Sequence, residues 1–112
     1  MNFEVKARIW IEGDDSIVMG NGRLRLLRAI IDEGSISKAA SKLGMSYKKA
    51  WNLINSMNES SDQPLVVRQT GGASGGGTQV TEHGLDLRKS FDAVQKKMND
   101  LLERESAKLN QK

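Results

Sequence analysis

Ser46, Tyr47, Lys48, Lys49 and Asn52 crowd into a short stretch, and Ser37 and Lys38 stand shortly before them. Ammonium groups meet phosphate oxygens or the acceptor edge of guanine, and a carboxamide can pair with adenine in the major groove. Hydroxyls add hydrogen bonds to a sugar-phosphate backbone. From residue 35 to residue 58 there are four lysines, Lys38, Lys42, Lys48 and Lys49, and no acidic residue. A solvated lysine-rich face would ordinarily carry both signs of charge. The missing carboxylates point instead to a polyanion, with duplex DNA as the expected partner.

A second group lies further on, in "QTGGASGGGTQV" from 69 to 80, where five glycines fall between 71 and 77. Glycine leaves backbone amides unobstructed, so Gly71 and Gly72 can approach phosphates closely. Arg68, Thr70, Ser74 and Gln79 supply charge and hydrogen bonds around them. Two enzyme motifs partly match this loop. Gly72, Ser74 and Gly76 satisfy the nucleophile-elbow spacing, but that motif needs a strand-to-helix turn on a large parallel sheet. The stretch from 71 to 78 resembles a phosphate-binding loop, except that Gly77 occupies the position of the essential lysine. His83, the one histidine, is a poor candidate for a metal ligand without companions. No catalytic residue, metal site or cofactor is expected, and the chain is read as a non-enzyme.

These side chains need rigid elements beneath them. Ser35 can cap a helix from Ile36 to Leu43, with Gly44 as the left-handed residue that stops it. Ser46 can cap a second helix starting at Tyr47. The short connection forces the two helices to cross at a large angle, which requires small residues where backbones approach, Ala40 and Ala50. Ile36, Leu43, Met45, Leu53, Ile54 and Met57 are expected to face a common core. The pattern is a helix-turn-helix over 35–58, leaving Lys48, Lys49, Asn52, Asn55 and Ser56 outward on its second helix.

Around it, Phe3, Val5, Ala7, Ile9 and Ile11 alternate with polar residues, the period of a half-buried strand. With "EGDD" as a turn and "SIVM" returning, a hairpin is expected over 3–19. Leu24, Leu27, Ile30 and Ile31 share one face of a first helix, with Leu26 at its edge, so the helical region spans 22–61. "LVVR" and "TQV" bracket the glycine loop as a two-stranded wing over 65–81. Thr81 can cap a last helix, expected over 82–105 with fraying beyond. On it, Leu87, Phe91, Val94, Met98 and Leu101 recur at spacings of four and three, a seam of about two heptads. That seam can join two chains, or Leu87 and Phe91 can pack on the first helix of their own chain. The fold class expected is α+β, one winged helix-turn-helix domain over 1–112.

The totals bound this further. The chain has 112 residues and a formal net charge of +3. Cysteine is absent, which excludes disulfides and thiolate metal sites. Arg23, Arg25 and Arg28 interrupt the richest apolar run, so no membrane span is expected, nor is a signal-peptide core present at "MNFEVKARIW". A cytoplasmic protein is expected.

The motifs "GSISKAA" at 34–40, "GMSYKKAW" at 44–51, "TGGASGGGTQVTEHG" at 70–84 and "LLRAI" at 26–30 carry a resemblance. The sequence resembles the N-terminal DNA-binding domain of ModE-type molybdate-responsive transcriptional regulators, over about residues 4 to 100. More remotely it is similar to LysR-type winged-helix domains. The resemblance implies a homodimer on a palindromic operator. It implies Ser37 and Lys38 at the DNA backbone, Ser46, Tyr47, Lys48, Lys49 and Asn52 in the groove, and Arg68 to Gln79 as the wing. ModE proteins add C-terminal molybdate-binding domains. None is expected between 1 and 112, so the resemblance carries DNA binding without molybdate sensing. The rival from another class is a winged-helix module that docks a protein partner.

Overall fold

A computed structural model describes residues 1–14, 16–69 and 77–111. Two short strands, β1 (Ile11–Glu12) and β2 (Ile17–Met19), pair antiparallel. Three helices follow, α1 (Asn21–Glu33), α2 (Ile36–Leu43) and α3 (Tyr47–Glu59). Strands β3 (Val66–Gln69) and β4 (Gly77–Val80) then form a second antiparallel pair, with Val66 opposite Val80 and Gln69 opposite Gly77. Helix α4 (Glu82–Leu109) closes the order. This is a winged helix-turn-helix, α+β in class. No helix among the described residues is long and apolar enough to cross a membrane.

Local chemistry sets the helix boundaries. The Ser35 side chain accepts a hydrogen bond from the Lys38 amide, and the Ser46 side chain one from the Lys49 amide. Each occupies an amide that the first turn of a helix leaves without a partner. Gly34 and Gly44 end α1 and α2 at φ of 70° and 68°, where a side chain would be strained. Gly44 thereby turns the chain from α2 into α3. Ala39, Ala40 and Ala50 are fully covered at this crossing.

The core gathers Leu24, Leu26, Leu27, Ala29 and Ile30 of α1 with Ile36, Ile54, Met57, Leu65, Val80 and Phe91. Here the face expected for α1 needs correction. Leu26 is buried and Ile31 is 42% exposed. Helix α1 touches α2, α3, β2 and β4, so the arc it buries is wider than one stripe and is rotated toward Leu26.

Two other expectations change. The alternation of residues 3 to 10 does not belong to a strand, for β1 begins at Ile11. Residues 3 to 7 run beside the far half of α4 instead. The Val5 amide donates to the Ser106 hydroxyl at 2.8 Å. The Phe3 amide donates to Asn110 Oδ1 at 2.8 Å, and Asn110 Nδ2 donates back to the Phe3 carbonyl at 2.9 Å. Helix α4 also continues to Leu109 rather than ending at Glu105. Ser106 and Asn110 are tied to the N-terminal segment, which holds the last turn in place.

Helix α4 starts at Thr81, whose hydroxyl oxygen accepts from the Gly84 amide. Its first turn passes so close to the residue before β3 that a Cβ on Gly84 would stand 2.6 Å from the Leu65 carbonyl oxygen. Phe91 is sealed in the core, which removes it from the expected intermolecular seam. Leu87 packs partly against the same core, whereas Val94 and Leu101 are exposed and Met98 is half-buried. At 1.5 Å per residue, the 28 residues of α4 extend about 42 Å. They give the molecule its long axis of 64 Å against 29 and 20 Å.

Candidate nucleic-acid interface

Helix α3 buries Ala50, Ile54 and Met57 on one side. The periodicity of 3.6 residues then leaves Lys48, Lys49, Asn52 and Asn55 exposed on the other. Ser56 sits half-buried at the edge of this ridge, and Ser46 and Tyr47 are exposed at its start. Ser37 and Lys38 are exposed in the first turn of α2, and the Lys38 amide is held by the Ser35 cap. Among the described residues, Lys38, Lys48 and Lys49 have no ion-pair partner. The cations of the ridge are thus available to an external anion. Lys42 differs, lying 3.5 Å from Asp32 and 3.8 Å from Glu33 of α1.

The wing is fastened to α3 at two levels. At the helix start, Arg68 Nη2 donates to the Tyr47 hydroxyl at 2.8 Å. Its guanidinium carbon stands over the Trp51 ring, 4.3 Å from the centroid. At the helix end, Asn58 acts as a surrogate strand. Its Oδ1 accepts from the Leu65 amide at 2.8 Å and the Val66 amide at 3.2 Å, while its Nδ2 donates to the Val66 carbonyl at 2.9 Å. Strand β4 is fixed separately, the Thr78 amide donating to the carbonyl of Gly34. Gln79 lies on β4 opposite Val67. Thr70, Gly71, Gly72 and Ser74 lie outside the described residues. So does the serine of the elbow-like motif.

Trp51 and Asn58 hold the wing against α3, and sequence reasoning passed over both. Tyr47 and Trp51 are four apart, so a helix sets them on one flank beside the wing. That spacing was the available signal for Trp51. For Asn58 the signal is weaker, an amide at the end of a helix just ahead of an extended segment. His83, dismissed as a ligand, joins α4 to the preceding loop, with Nε2 2.9 Å from the Ser61 hydroxyl and 3.5 Å from Asp62.

The family described as bacterial regulatory helix-turn-helix protein, lysR family, matches residues 22–85, more than half of the chain, from the first turn of α1 to the start of α4. The chain belongs to this family. Within it, the chain is similar to the molybdenum transport protein ModE of Azotobacter vinelandii, 41% identical over 105 residues, covering 94% of this chain and 39% of that protein. It is likewise similar to the DNA-binding transcriptional dual regulator ModE of Escherichia coli K12. That protein is 43% identical over 88 residues, covering 76% of this chain and 34% of the relative. The expected resemblance to ModE-type regulators is thereby borne out. The chain spans well under half the length of these relatives.

Among solved structures, the BenM DNA-binding domain in complex with catB site 1 DNA superposes with a TM-score of 0.59. The identity is 19%, covering 84% of this chain and 99% of that one. At such an identity the likeness speaks for the fold. It places the family's winged helix on this chain.

Proposed function

We propose that this chain is the DNA-binding part of a transcriptional regulator, reading duplex DNA through α3 and flanking backbone through the wing. The observation that carries the reading is the exposed, carboxylate-free ridge of Lys48, Lys49, Asn52 and Asn55. Its lysines lack acidic partners among the described residues, and a ridge of that composition suits the major groove. The ModE relative of Escherichia coli, a DNA-binding transcriptional dual regulator, and the DNA held by the BenM domain support the same reading.

In this reading Ser37 and Lys38 meet the backbone, Ser46, Tyr47, Lys48, Lys49 and Asn52 occupy the groove, and the segment from Arg68 to Gln79 lies along the duplex. Thr70, Gly71, Gly72 and Ser74 belong to that segment. In this reading the chain acts without catalysis and in the cytoplasm.

A homodimer on a palindromic operator completes the proposal. Helix α4 leaves the core after Phe91 with Val94 and Leu101 exposed, and Met98 lies between them on the same stripe. Most helical stability in proteins comes from packing of an apolar face, so a second copy along this stripe is the natural cover. Two recognition helices would then stand about 34 Å apart or a multiple of it.

The test is the salt dependence of duplex binding, followed by fluorescence anisotropy on a mixed-sequence duplex. Log affinity should fall linearly with log salt, with a slope of about −0.9 per phosphate neutralised. Lys48→Ala should make that slope shallower. An affinity indifferent to salt defeats the electrostatic account. No duplex affinity at low salt favours the protein-docking alternative.

A further inference from the structure

The two flanks of α3 are built differently. With 3.6 residues per turn, Trp51 and Leu53 fall roughly 100° to either side of Asn52, the centre of the ridge. On the Trp51 side stands the wing, with Arg68. On the Leu53 side lies an open cleft of about 570 Å³ between α3, the start of α1 and the N-terminal segment. Four cations line it, Arg8, Arg23, Arg25 and Lys49, and no carboxylate does. Among the described residues none of the four has an ion-pair partner.

Like charges gather at a cost unless an anion offsets it. Arg23 also has hydrogen-bonding capacity to spare. Its Nη2 donates to Ser56 at the edge of the ridge, 3.2 Å away, yet its Nε is buried without a partner. Helix α1 adds to the positive field, because no acidic residue occupies its first turn and its N-terminal amides carry no side-chain cap.

We infer that Arg8, Arg23 and Arg25, together with Lys49, form a second phosphate-contacting wall, on the flank of α3 opposite the wing. The partner is the same duplex, so the inference rests on the DNA-binding reading. A helix with side chains is about 10–12 Å across, and the major groove is about 12 Å wide. A helix seated there has a sugar-phosphate backbone on each side. The wing and Arg68 serve one strand, and the arginine cleft serves the other. Arg23, bonded to Ser56, stands alongside the ridge itself, and Lys49 belongs to both ridge and cleft. The N-terminal segment thereby gains a task, since it brings Arg8 to the cleft. The concave shape equally admits a free anion of phosphate size, and the experiment separates the two.

Binding of a labelled mixed-sequence duplex is measured across a salt series for the full chain and for Arg8→Gln, Arg25→Gln and the double variant. Both side chains are exposed, so folding is checked by thermal melting and is expected to be unchanged. Each substitution should reduce the steepness of the log affinity against log salt by about 0.9, and the pair by about twice that. At a single salt concentration the loss should be equal for unrelated sequences.

If the double variant keeps the parental slope while Lys48→Ala lowers it, the second wall is overturned and the DNA reading stands. If no variant or parent binds duplex, the DNA reading itself fails and takes the wall with it. Inorganic phosphate, titrated while the Trp10 indole resonance in the cleft is followed by NMR, supplies the other arm. Saturable binding that persists in the presence of excess duplex assigns the cleft to a free anion and overturns the wall. Displacement of phosphate by duplex supports it.

Discussion

The guanidinium of Arg68 stands over the ring of Trp51, 4.3 Å from its centroid, while donating to the Tyr47 hydroxyl. One cation of the wing is thus held by two aromatic residues from the recognition helix. Such a contact is worth about 0.5–1 kcal/mol at an exposed site. Trp51→Leu should therefore weaken duplex binding roughly two- to fivefold by freeing Arg68 to sample other rotamers. Trp51→Phe should recover part of the loss. In a double-mutant cycle with Arg68→Ala, additive losses would show that the two side chains act separately.

Asn58 joins the end of α3 to the start of β3 through three hydrogen bonds to backbone that is almost wholly buried. Asn58→Ala leaves the Leu65 and Val66 groups without those partners, at a cost of about 1–3 kcal/mol. Thermal unfolding should report a lowered midpoint. Asn58→Asp keeps the acceptor but loses the donor, and should not restore stability. A midpoint unchanged in both variants would mean that water replaces the side chain freely.

Gly84 tests a close approach. In an ordinary helix, alanine is favoured over glycine by about 0.8–1.0 kcal/mol. Here the added methyl would meet the Leu65 carbonyl oxygen at 2.6 Å and Val80 Cγ1 at 2.8 Å. The sign should reverse, with Gly84→Ala destabilising by about 1–3 kcal/mol in urea unfolding as the helix is forced off the strand. A stabilised variant would show that α4 can shift without penalty.

The apolar residues of α4 should separate into two classes. Phe91→Ala opens a cavity in the core and should cost about 3–5 kcal/mol of stability. Val94→Glu with Leu101→Glu touches no core and should leave each chain folded while abolishing the proposed self-association. Sedimentation of parent and variant together checks this. Identical sedimentation of the two would remove the seam from any interface.

The helix-turn-helix was legible because its signals are local. Ser35, Gly44, Ser46 and the alanines act within a few residues of themselves, and no distant partner is needed to interpret them. The N-terminal segment shows the opposite case. Alternation at Phe3, Val5, Ala7 and Ile9 reports extended backbone with two unlike faces, but not what satisfies its amides. Here Asn110 and Ser106 take up the amides of Phe3 and Val5, more than a hundred residues away in sequence, and no strand forms. The burial of Leu26 and the exposure of Ile31 depended on which elements surround α1, which its own periodicity does not encode. Arg68 was recognised as a cation of the wing, whereas its seat on Trp51 exists only after β3 folds back beside α3.

The reciprocal hydrogen bonds between Phe3 and Asn110 bring the beginning and the end of the described chain together, at the tip of α4. A fluorophore or affinity handle attached at either end would consequently stand remote from the ridge of α3. A short peptide joining the two ends would make a ring whose opening could be moved elsewhere on the surface.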